Sequence, residues 1–345
     1  MKSIHKILII IQRSNGDVLL SSPLINRLYE HYDNPKIDLL INDDTRAIAS
    51  TLEHINEFNM YSYSWKRQSK ISRIKNELSL VKKIYKKYDL SINLTASDRS
   101  VMYSILASSY SVSAVEENSN KSWWKKLFLN KSYIFDASKH IVLNNISALK
   151  LLGISNDKVI MSSRYKPESK ISVQDKLKKL GIKKFIIFHP SAQYEYKIYP
   201  KELRNALLAK LDTLNIPIIV TGAKTPLDLQ IKSELPKLNN LHDFIGKTNL
   251  DEYIALSDLS HCYVGMDTLN MHIAASQNKR VFAIFGPTLL NTWSPWSNKL
   301  QRAAVKNLPK QTYDNITIFQ ANMDCVACGK AGCDDNHGLS ECLFK

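Results

Sequence analysis

The sequence predicts an α/β protein made of two Rossmann-like, doubly wound halves that face each other across a cleft. Apolar runs of strand length alternate with segments of helical periodicity, before and after a polar stretch at residues 155–172. That alternation is typical of parallel sheets covered by helices. A chain of 345 residues is long enough for two domains that each bury a core. We therefore predict domains over residues 1–165 and 166–320, followed by a cysteine-rich tail over 321–345.

The composition is ordinary for a soluble protein, with 44% hydrophobic and 23% charged residues. No apolar run approaches the roughly 20 residues that a membrane-spanning helix needs. The start of the chain, MKSIHKILIII, looks like a signal peptide, but its apolar run stops at Gln12-Arg13 and no small-residue cleavage site follows. We therefore interpret it as a buried first strand and expect a cytoplasmic protein.

The first predicted unit is a strand, a loop and a helix. Ile7–Ile11 is fully apolar, as central parallel strands are, and a polar loop at Arg13–Asp17 separates it from a helical pattern. The loop lacks the GxGxxG dinucleotide motif. Two interpretations of Asp17 stand: an acid at the start of a helix, or a carboxylate held at the cleft that acts as a general base.

The net charge of +15 indicates an anionic partner, which could be nucleic acid, anionic lipid or a phosphorylated substrate. Lysines and arginines crowd a predicted helix at Trp65–Tyr88, and Lys121–Lys126 interleaves lysines with two tryptophans. Tryptophan beside lysine suits a membrane interface. The alternative is a solvated basic face above a core tryptophan pair. Nucleic acid is less favoured, because no recognition-helix, RRM or zinc-finger pattern is present.

In the second half, the segment Gly265–Ala275 reads as a tight turn that leads from a strand into a helix. Asp267 or Thr268 would cap that helix, leaving free backbone N–H groups at the positive end of the helix dipole. Such an end binds phosphate readily. A capped helix without a ligand is the alternative interpretation.

Four motifs, in order along the chain, make it resemble the lipopolysaccharide core heptosyltransferases of glycosyltransferase family 9, and most of all their heptosyltransferase III branch. The motifs are Gly16–Pro23, Lys197-x-Tyr-Pro200, Asp267–Ala275, and Phe285-Gly-Pro287 followed by Trp293-Ser-Pro-Trp296. Two positions depart from the family pattern. Tyr199 replaces the usual tryptophan, and Leu269 stands where many members have glycine, which bears on how closely the backbone approaches the donor.

The resemblance implies a GT-B fold with an N-terminal acceptor domain and a C-terminal donor domain. It implies inverting transfer of heptose from ADP-heptose to an anionic lipopolysaccharide core at the cytoplasmic face of the inner membrane. Asp17 would be the general base, and Lys197 would stabilise the departing ADP. No Asp-x-Asp motif is present, so no catalytic metal is expected. An enzyme of this kind is also not expected to bind nucleic acid.

The resemblance also implies binding residues. The acceptor residues would be Arg13, Asn15 and Arg99. The donor residues would be Ser191, Thr221, Gly222, Gly246, Lys247, Thr248, Asp267, Thr268 and His272. For His272 a hydrogen-bonded structural role is the alternative.

Four of the five cysteines lie in the tail, spaced C-x2-C-x4-C-x8-C: Cys325, Cys328, Cys333 and Cys342. Four thiolates suit tetrahedral zinc or iron, so we predict a structural metal, with His337 able to replace one ligand. Reduced cysteines or reversible disulfides are the alternative. We expect such a metal-bound cluster to fix the C-terminus in place and to take no part in the reaction.

Other functions remain open at this stage. A relative that heptosylates a protein, such as an autotransporter, would share the same motifs. A non-catalytic module that binds a nucleotide or a glycolipid would share the same fold. A nucleic-acid-binding protein is the most distant alternative.

Overall fold

The structure, a computed structural model, describes residues 3–345. The chain divides into two compact units, one that ends at Ser162 and one that spans Ser163–Lys345. Each unit has its own sheet with helices packed on it. The predicted polar segment at 155–172 has no regular secondary structure at first and then enters a helix at Pro167, since proline fits the first helical turn.

The strands of the first unit are β1 (Lys6–Ile11), β2 (Lys36–Asn42), β3 (Ile55–Tyr61), β4 (Tyr88–Asn93), β5 (Ser108–Val115) and β6 (Lys131–Ile134). Its helices are α1 (Asn15–Leu19), α2 (Ser22–His31), α3 (Arg46–Ala49), α4 (Lys70–Ile84), α5 (Asp98–Ala107), α6 (Ser119–Phe128) and α7 (Ile141–Leu151). The six strands pair in parallel in the order β3-β2-β1-β4-β5-β6. The order reverses between β1 and β4, and open α/β sheets bind ligands at the carboxyl ends of such strands.

Helices α4, α5 and α6 lie side by side on one face of this sheet. Leu80 and Ile84 of α4 share a buried cluster with Leu8 and Ile10 of β1. The predicted helix at 65–88 is shorter in the structure, because the side chain of Ser69 caps α4 and Tyr88 already belongs to β4. All of these helices begin at the carboxyl edge of the sheet.

The strands of the second unit are β7 (Ile186–His189), β8 (Ile218–Val220), β9 (Leu241–Asp243), β10 (Cys262–Met266), β11 (Arg280–Phe285), β12 (Lys310–Tyr313) and β13 (Ile316–Gln320). Its helices are α8 (Pro167–Lys179), α9 (Lys201–Asp212), α10 (Pro226–Ser233), α11 (Leu250–Leu259), α12 (Leu269–Ser276) and α13 (Leu290–Trp293). The order is β12-β13-β11-β10-β7-β8-β9, and every pair is parallel except β12 with β13.

Strands β7 and β10 are neighbours at the centre of this sheet, and a glycine lets them approach. A Cβ atom on Gly265 would lie only 2.3 Å from the carbonyl oxygen of His189. A side chain therefore does not fit between these strands without moving the backbone. The result is that the loops after β7 and β10 emerge side by side at the carboxyl edge, as the doubly wound prediction requires.

Candidate active site

The loop after β1 holds Asp17 in a local network. Asp17 is 5% exposed and lies in α1. Its Oδ2 accepts hydrogen bonds from the Ser14 hydroxyl at 2.6 Å and the Ser14 N–H at 3.2 Å. Its Oδ1 is ion-paired with Nε of Arg13 at 3.0 Å. Both oxygens are therefore oriented by residues three and four positions earlier in the chain.

The three predicted acceptor residues follow the carboxyl ends of β1 and β4. Arg13 also lies over the ring of Phe135, and Asn15 is exposed at the start of α1. Arg99, in the first turn of α5, stacks on the ring of Tyr61 and donates to its hydroxyl. The structure thus places Arg13, Asn15 and Arg99 at one sheet edge, where positive charge stands beside the buried carboxylate.

The second unit brings together Lys197 and Asp267, which are distant in sequence. Lys197 ends a short 3₁₀ turn, Glu195–Lys197, after β7, and Asp267 follows β10. Lys197 Nζ lies 3.0 Å from Asp267 Oδ2. Asp267 is 6% exposed, and its Oδ1 has no hydrogen-bond partner among residues 3–345. A buried carboxylate oxygen without a partner is costly, so a ligand hydroxyl that donates to it would be bound favourably.

Helix α12 begins where the sequence predicts, with Thr268 as its N-cap. The Thr268 side chain makes no capping hydrogen bond. His272, one turn further on, is buried inside the helix layer rather than exposed at the edge. Its participation in donor binding stays a prediction.

A buried histidine that sequence reasoning did not assign to the site lies beneath this edge. Nδ1 of His189, the last residue of β7, lies 3.0 Å from Oγ1 of Thr221, and Nδ2 of Asn270 lies 3.0–3.1 Å from both ring nitrogens. Burial lowers the pKa of His189 to about 4, against the opposing charge of Asp228. The ring is therefore neutral at physiological pH. The sequence held one sign that His189 belongs to the site, which is that it ends a predicted strand at the same sheet edge as the Asp267 turn.

Two further loops at the same edge depend on glycine. The N–H of Gly246 donates to the carbonyl of Gly222 at 2.9 Å, which joins the loops after β8 and β9. Gly246 has φ +71°, and a Cβ on Gly222 would lie 2.6 Å from Oδ1 of Asp228. Neither position accepts a side chain without strain or displacement of a neighbour.

The other predicted donor residues lie near this edge and differ in burial and in hydrogen bonding. Ser191 is buried just after β7, and Thr248 is half-buried after β9. Lys247 is exposed, but its Nζ donates to the carbonyl of Asp243 at 2.6 Å. Lys247 is therefore engaged within its own turn.

The structure does not support the predicted metal in the tail. Within residues 3–345 no group of three or more histidine, cysteine or acidic side chains is arranged to hold a metal ion. All four tail cysteines are free thiols, and Cys333 Sγ accepts a hydrogen bond from the N–H of Glu341. Burial, with smaller effects of Cys333, Cys328 and Cys325, raises the pKa of Cys342 to about 11. Among residues 3–345 these thiols therefore form no ligand set.

Comparison with known proteins finds similarity to heptosyltransferases, both in a family match and in individual relatives. The family described as glycosyltransferase family 9 (heptosyltransferase) matches residues 77–320, a match that ends where the tail begins. Lipopolysaccharide heptosyltransferase 3 of Escherichia coli strain K12 is 29% identical over 294 residues, which cover 84% of each chain. A second Escherichia coli protein of that name is 27% identical over 297 residues, 84% of this chain and 85% of the other.

Two solved structures show the same fold. Escherichia coli ADP-heptose LPS heptosyltransferase II superposes with a TM-score of 0.73 at 17% identity, over 99% of this chain and 94% of that one. Escherichia coli heptosyltransferase WaaC, solved with ADP, superposes with a TM-score of 0.71 at 16% identity, over 94% and 95%. The predicted GT-B fold class with two Rossmann-like domains is therefore confirmed.

Proposed function

The chain belongs to glycosyltransferase family 9, the heptosyltransferases, and on that premise we propose that it transfers a heptose from ADP-heptose to the lipopolysaccharide inner core with inversion. That it is a glycosyltransferase of the lipopolysaccharide heptosyltransferase type follows from the family match and the curated relatives. The donor, the stereochemistry, the acceptor and the residues that act are our proposal.

The observation that carries the donor assignment is the pair Lys197–Asp267 in the second unit. The unpartnered Oδ1 of Asp267 would accept a hydrogen bond from a hydroxyl of the donor sugar. The ammonium of Lys197, 3.0 Å from the other oxygen, would stabilise the negative charge that develops on the departing diphosphate. The first unit would then be the acceptor domain and the second the donor domain.

Inversion requires a single in-line displacement. In that step the acceptor oxygen forms a bond to the anomeric carbon, the bond from that carbon to the diphosphate oxygen breaks, and ADP leaves as an anion. The hydroxyl proton of the acceptor passes to a base, and we assign that base to Asp17. Hydrogen bonds from Ser14 and the ion pair with Arg13 orient its carboxylate for this task. Arg13, Asn15 and Arg99 would bind the anionic acceptor.

We also propose that the first unit contacts the cytoplasmic face of the inner membrane, where a glycolipid acceptor resides. Six apolar side chains on two helices of the α4–α5–α6 layer are each more than half exposed. This membrane surface consists of Ile71, Ile74 and Leu78 of α4 and Trp123, Leu127 and Phe128 of α6. Exposed lysines flank it at positions 70, 75, 82 and 126. Apolar side chains with a lysine border suit an anionic bilayer surface.

The structure divides the two tryptophans that sequence reasoning treated together. Trp124 packs against the buried cluster of Val101 and Val115, whereas Trp123 is exposed. Lys125 is fully buried and ion-paired with Glu116 and Asp98, so it adds no surface charge. Along the described chain no helix combines the length and the apolarity that crossing a bilayer demands. Contact with the bilayer would therefore be peripheral.

Vesicle flotation tests the membrane surface. The variant Trp123→Ser/Leu127→Ser should bind vesicles of anionic phospholipid about tenfold less than the wild type, because two apolar anchors are lost. A matched control, Ile171→Ser/Leu180→Ser, removes two exposed apolar residues of the second unit and should bind as the wild type does. Equal binding by both variants would contradict the assignment.

The function is tested by incubating the purified protein with ADP-heptose and a truncated, heptose-bearing lipopolysaccharide core. A gain of one heptose mass on the acceptor, absent with Asp17→Ala, is the expected result. If ADP-heptose binds but the core gains nothing, the acceptor assignment is wrong, and a protein acceptor becomes the candidate. If Asp17→Ala transfers heptose as the wild type does, the base assignment fails. If neither protein transfers heptose to any acceptor while both bind ADP-heptose, a non-catalytic binding module is favoured.

A further inference from the structure

The cysteine-rich tail contacts the turn that carries Lys197. The ring of His337 lies 5.8 Å from that of Tyr194 and 5.6 Å from that of Tyr196, and the two tyrosine rings are stacked at 5.5 Å. Three rings from two distant parts of the chain therefore form one cluster, which we call the ring cluster. Sequence reasoning expected the tail to pin the C-terminus away from the chemistry and His337 to be able to replace a metal ligand. Among residues 3–345 no metal-binding group supports the second expectation, and the ring contacts of His337 bear on the first.

The ring cluster adjoins the Lys197–Asp267 pair. Tyr196 and Lys197 are consecutive residues of the same 3₁₀ turn. Burial, and then the charges of Tyr194 and Asp267, raise the pKa of Tyr196. A shift of the ring cluster would consequently move the turn that presents the Lys197 ammonium.

The tail is fastened at the same edge of the sheet. The N–H of Gly329 donates to the carbonyl of Pro287 at 2.7 Å, just beyond the end of β11. Leu343 packs on Gly286 so closely that a Cβ there would lie 2.8 Å from the leucine Cδ2. These two contacts hold the tail across the turn that follows β11.

Within the tail, the backbone around His337 is compact. The His337 N–H donates to the carbonyl of Ala331 at 2.6 Å, and the N–H of Cys333 donates to the carbonyl of Leu339 at 2.9 Å. His337 has φ +66°, in the left-handed region. The side chain of His337 is thus directed by a closed loop rather than by a free chain end.

We infer that the tail forms one wall of the donor site and that His337 is a positioning residue, acting through Tyr194 and Tyr196 on the turn that bears Lys197. The inference rests on the proposed function, because donor binding is its readout. It assigns the tail a part in donor binding that depends on the imidazole ring of His337.

The prediction follows from the strength of ring contacts. Loss of the His337 ring removes two such contacts, and we expect the part of their energy that positions the Lys197 turn to weaken donor binding roughly three- to tenfold when it is lost. His337→Ala should therefore raise the Kd for ADP-heptose by that factor and lower kcat, because Lys197 loses its position. His337→Phe keeps a ring and should restore most of the affinity. Leu339→Ala, which truncates an exposed side chain of the same loop, should behave as the wild type.

Coupling to Tyr196 distinguishes positioning from direct contact with the donor. In a Tyr196→Ala background the ring cluster is already broken, so His337→Ala should have little additional effect. Calorimetric titration of ADP-heptose into the wild type and the five variants, with thermal melting of each to establish folding, measures these differences. Additive effects of the two substitutions, or an unchanged Kd in His337→Ala, would overturn the inference.

A parallel titration with ADP separates this inference from the proposed function. If the wild type binds ADP but not ADP-heptose, the proposed donor is wrong. The same variants are then compared with ADP, whose diphosphate also depends on Lys197. If the wild type binds ADP-heptose and His337→Ala binds it equally well, the donor assignment stands and only the role of the tail is rejected.

Discussion

Asp17 and Asp267 are alike in burial and in having a cation beside them, but they differ in where in the sequence their partners come from. Each is almost fully buried, at 5% and 6% exposure, and each lies beside a cation at the carboxyl edge of a parallel sheet. Asp17 takes its partners, Ser14 and Arg13, from its own loop. Its Oδ2 accepts hydrogen bonds from Ser14, and its Oδ1, which accepts no hydrogen bond within residues 3–345, is ion-paired with Arg13. Asp267 takes Lys197 from another loop and keeps one oxygen without a partner.

The difference indicates two kinds of site. Asp17 is oriented by a short motif, so its geometry is encoded within five residues and suits a group that must stay in one position during proton transfer. The Lys197–Asp267 pair exists only when β7 and β10 are neighbours, and it leaves a buried oxygen open to a ligand. The Oδ1 atom of Asp17 faces the Arg13 cation of its own loop, whereas we expect Oδ1 of Asp267 to accept its hydrogen bond from a ligand.

Replacing Asp17 is expected to have the largest effect on rate. Asp17→Asn keeps the side-chain shape but removes the base, so kcat should fall by about 10²–10⁴-fold. Affinity for ADP-heptose should be unchanged, because the donor residues lie in the other unit. Steady-state kinetics and donor titration measure the two quantities. Asp44→Asn, at an exposed acid after β2, is the control, and a loss of donor affinity in Asp17→Asn would contradict the division of roles.

Replacing Lys197 should affect both quantities. Lys197→Ala removes the charge beside the leaving group, which we expect to lower kcat by about 10²–10³-fold. It also leaves buried Asp267 without its cation, so donor binding and stability should fall too. Lys201→Ala, an exposed lysine at the start of α9, should change neither. If Lys197→Ala and Asp17→Asn had the same profile, with donor affinity retained in both, the contrast between the two sites would fail.

The buried histidine makes the second site sensitive to acid. His189 has a pKa of about 4 in the folded protein and about 6.5 when unfolded, so the unfolded state binds more protons between these values. Its contribution is complete above pH 6.5 and is lost as pH falls towards 4, by about 3 kcal/mol in total. Histidine NMR should find the His189 ring neutral at pH 5. Titration near 6.5 would show that the ring is not desolvated.

Two glycines give the smallest effects and a direct comparison of the loops. Gly265→Ala forces a Cβ against the His189 carbonyl and should destabilise the second unit by about 1–3 kcal/mol. Gly16→Ala meets only the Ser14 hydroxyl, at 3.9 Å, within α1. It should be neutral or stabilising by up to about 1 kcal/mol. Urea unfolding of both variants measures the difference, and equal destabilisation would contradict the proposed tight approach of β7 and β10.

Much of the fold could be predicted from local patterns. The apolar run at Ile7–Ile11 lies in β1, and the turn at Asp267 leads from β10 into α12. These features depend on neighbours in sequence, because hydrophobic period, caps and proline act within a few residues. The end of the helix predicted at 65–88 could not be predicted as well, since Tyr88 joins β4 through strand pairing.

Contacts between residues that are distant in sequence could not be predicted from the sequence. Sequence motifs indicated Asp17, Lys197 and Asp267 one at a time, and the short-range network around Asp17 follows from residues 13–17 alone. The pairing of Lys197 with Asp267, the neutral His189 beneath them and the His337 ring beside Tyr196 all depend on which loops the sheet brings together. Burial also depends on the tertiary structure. Lys125 is buried and Trp123 is exposed, although both belong to one basic segment of the sequence. Chain order specifies residues and their local turns, whereas strand order and packing specify which of them meet.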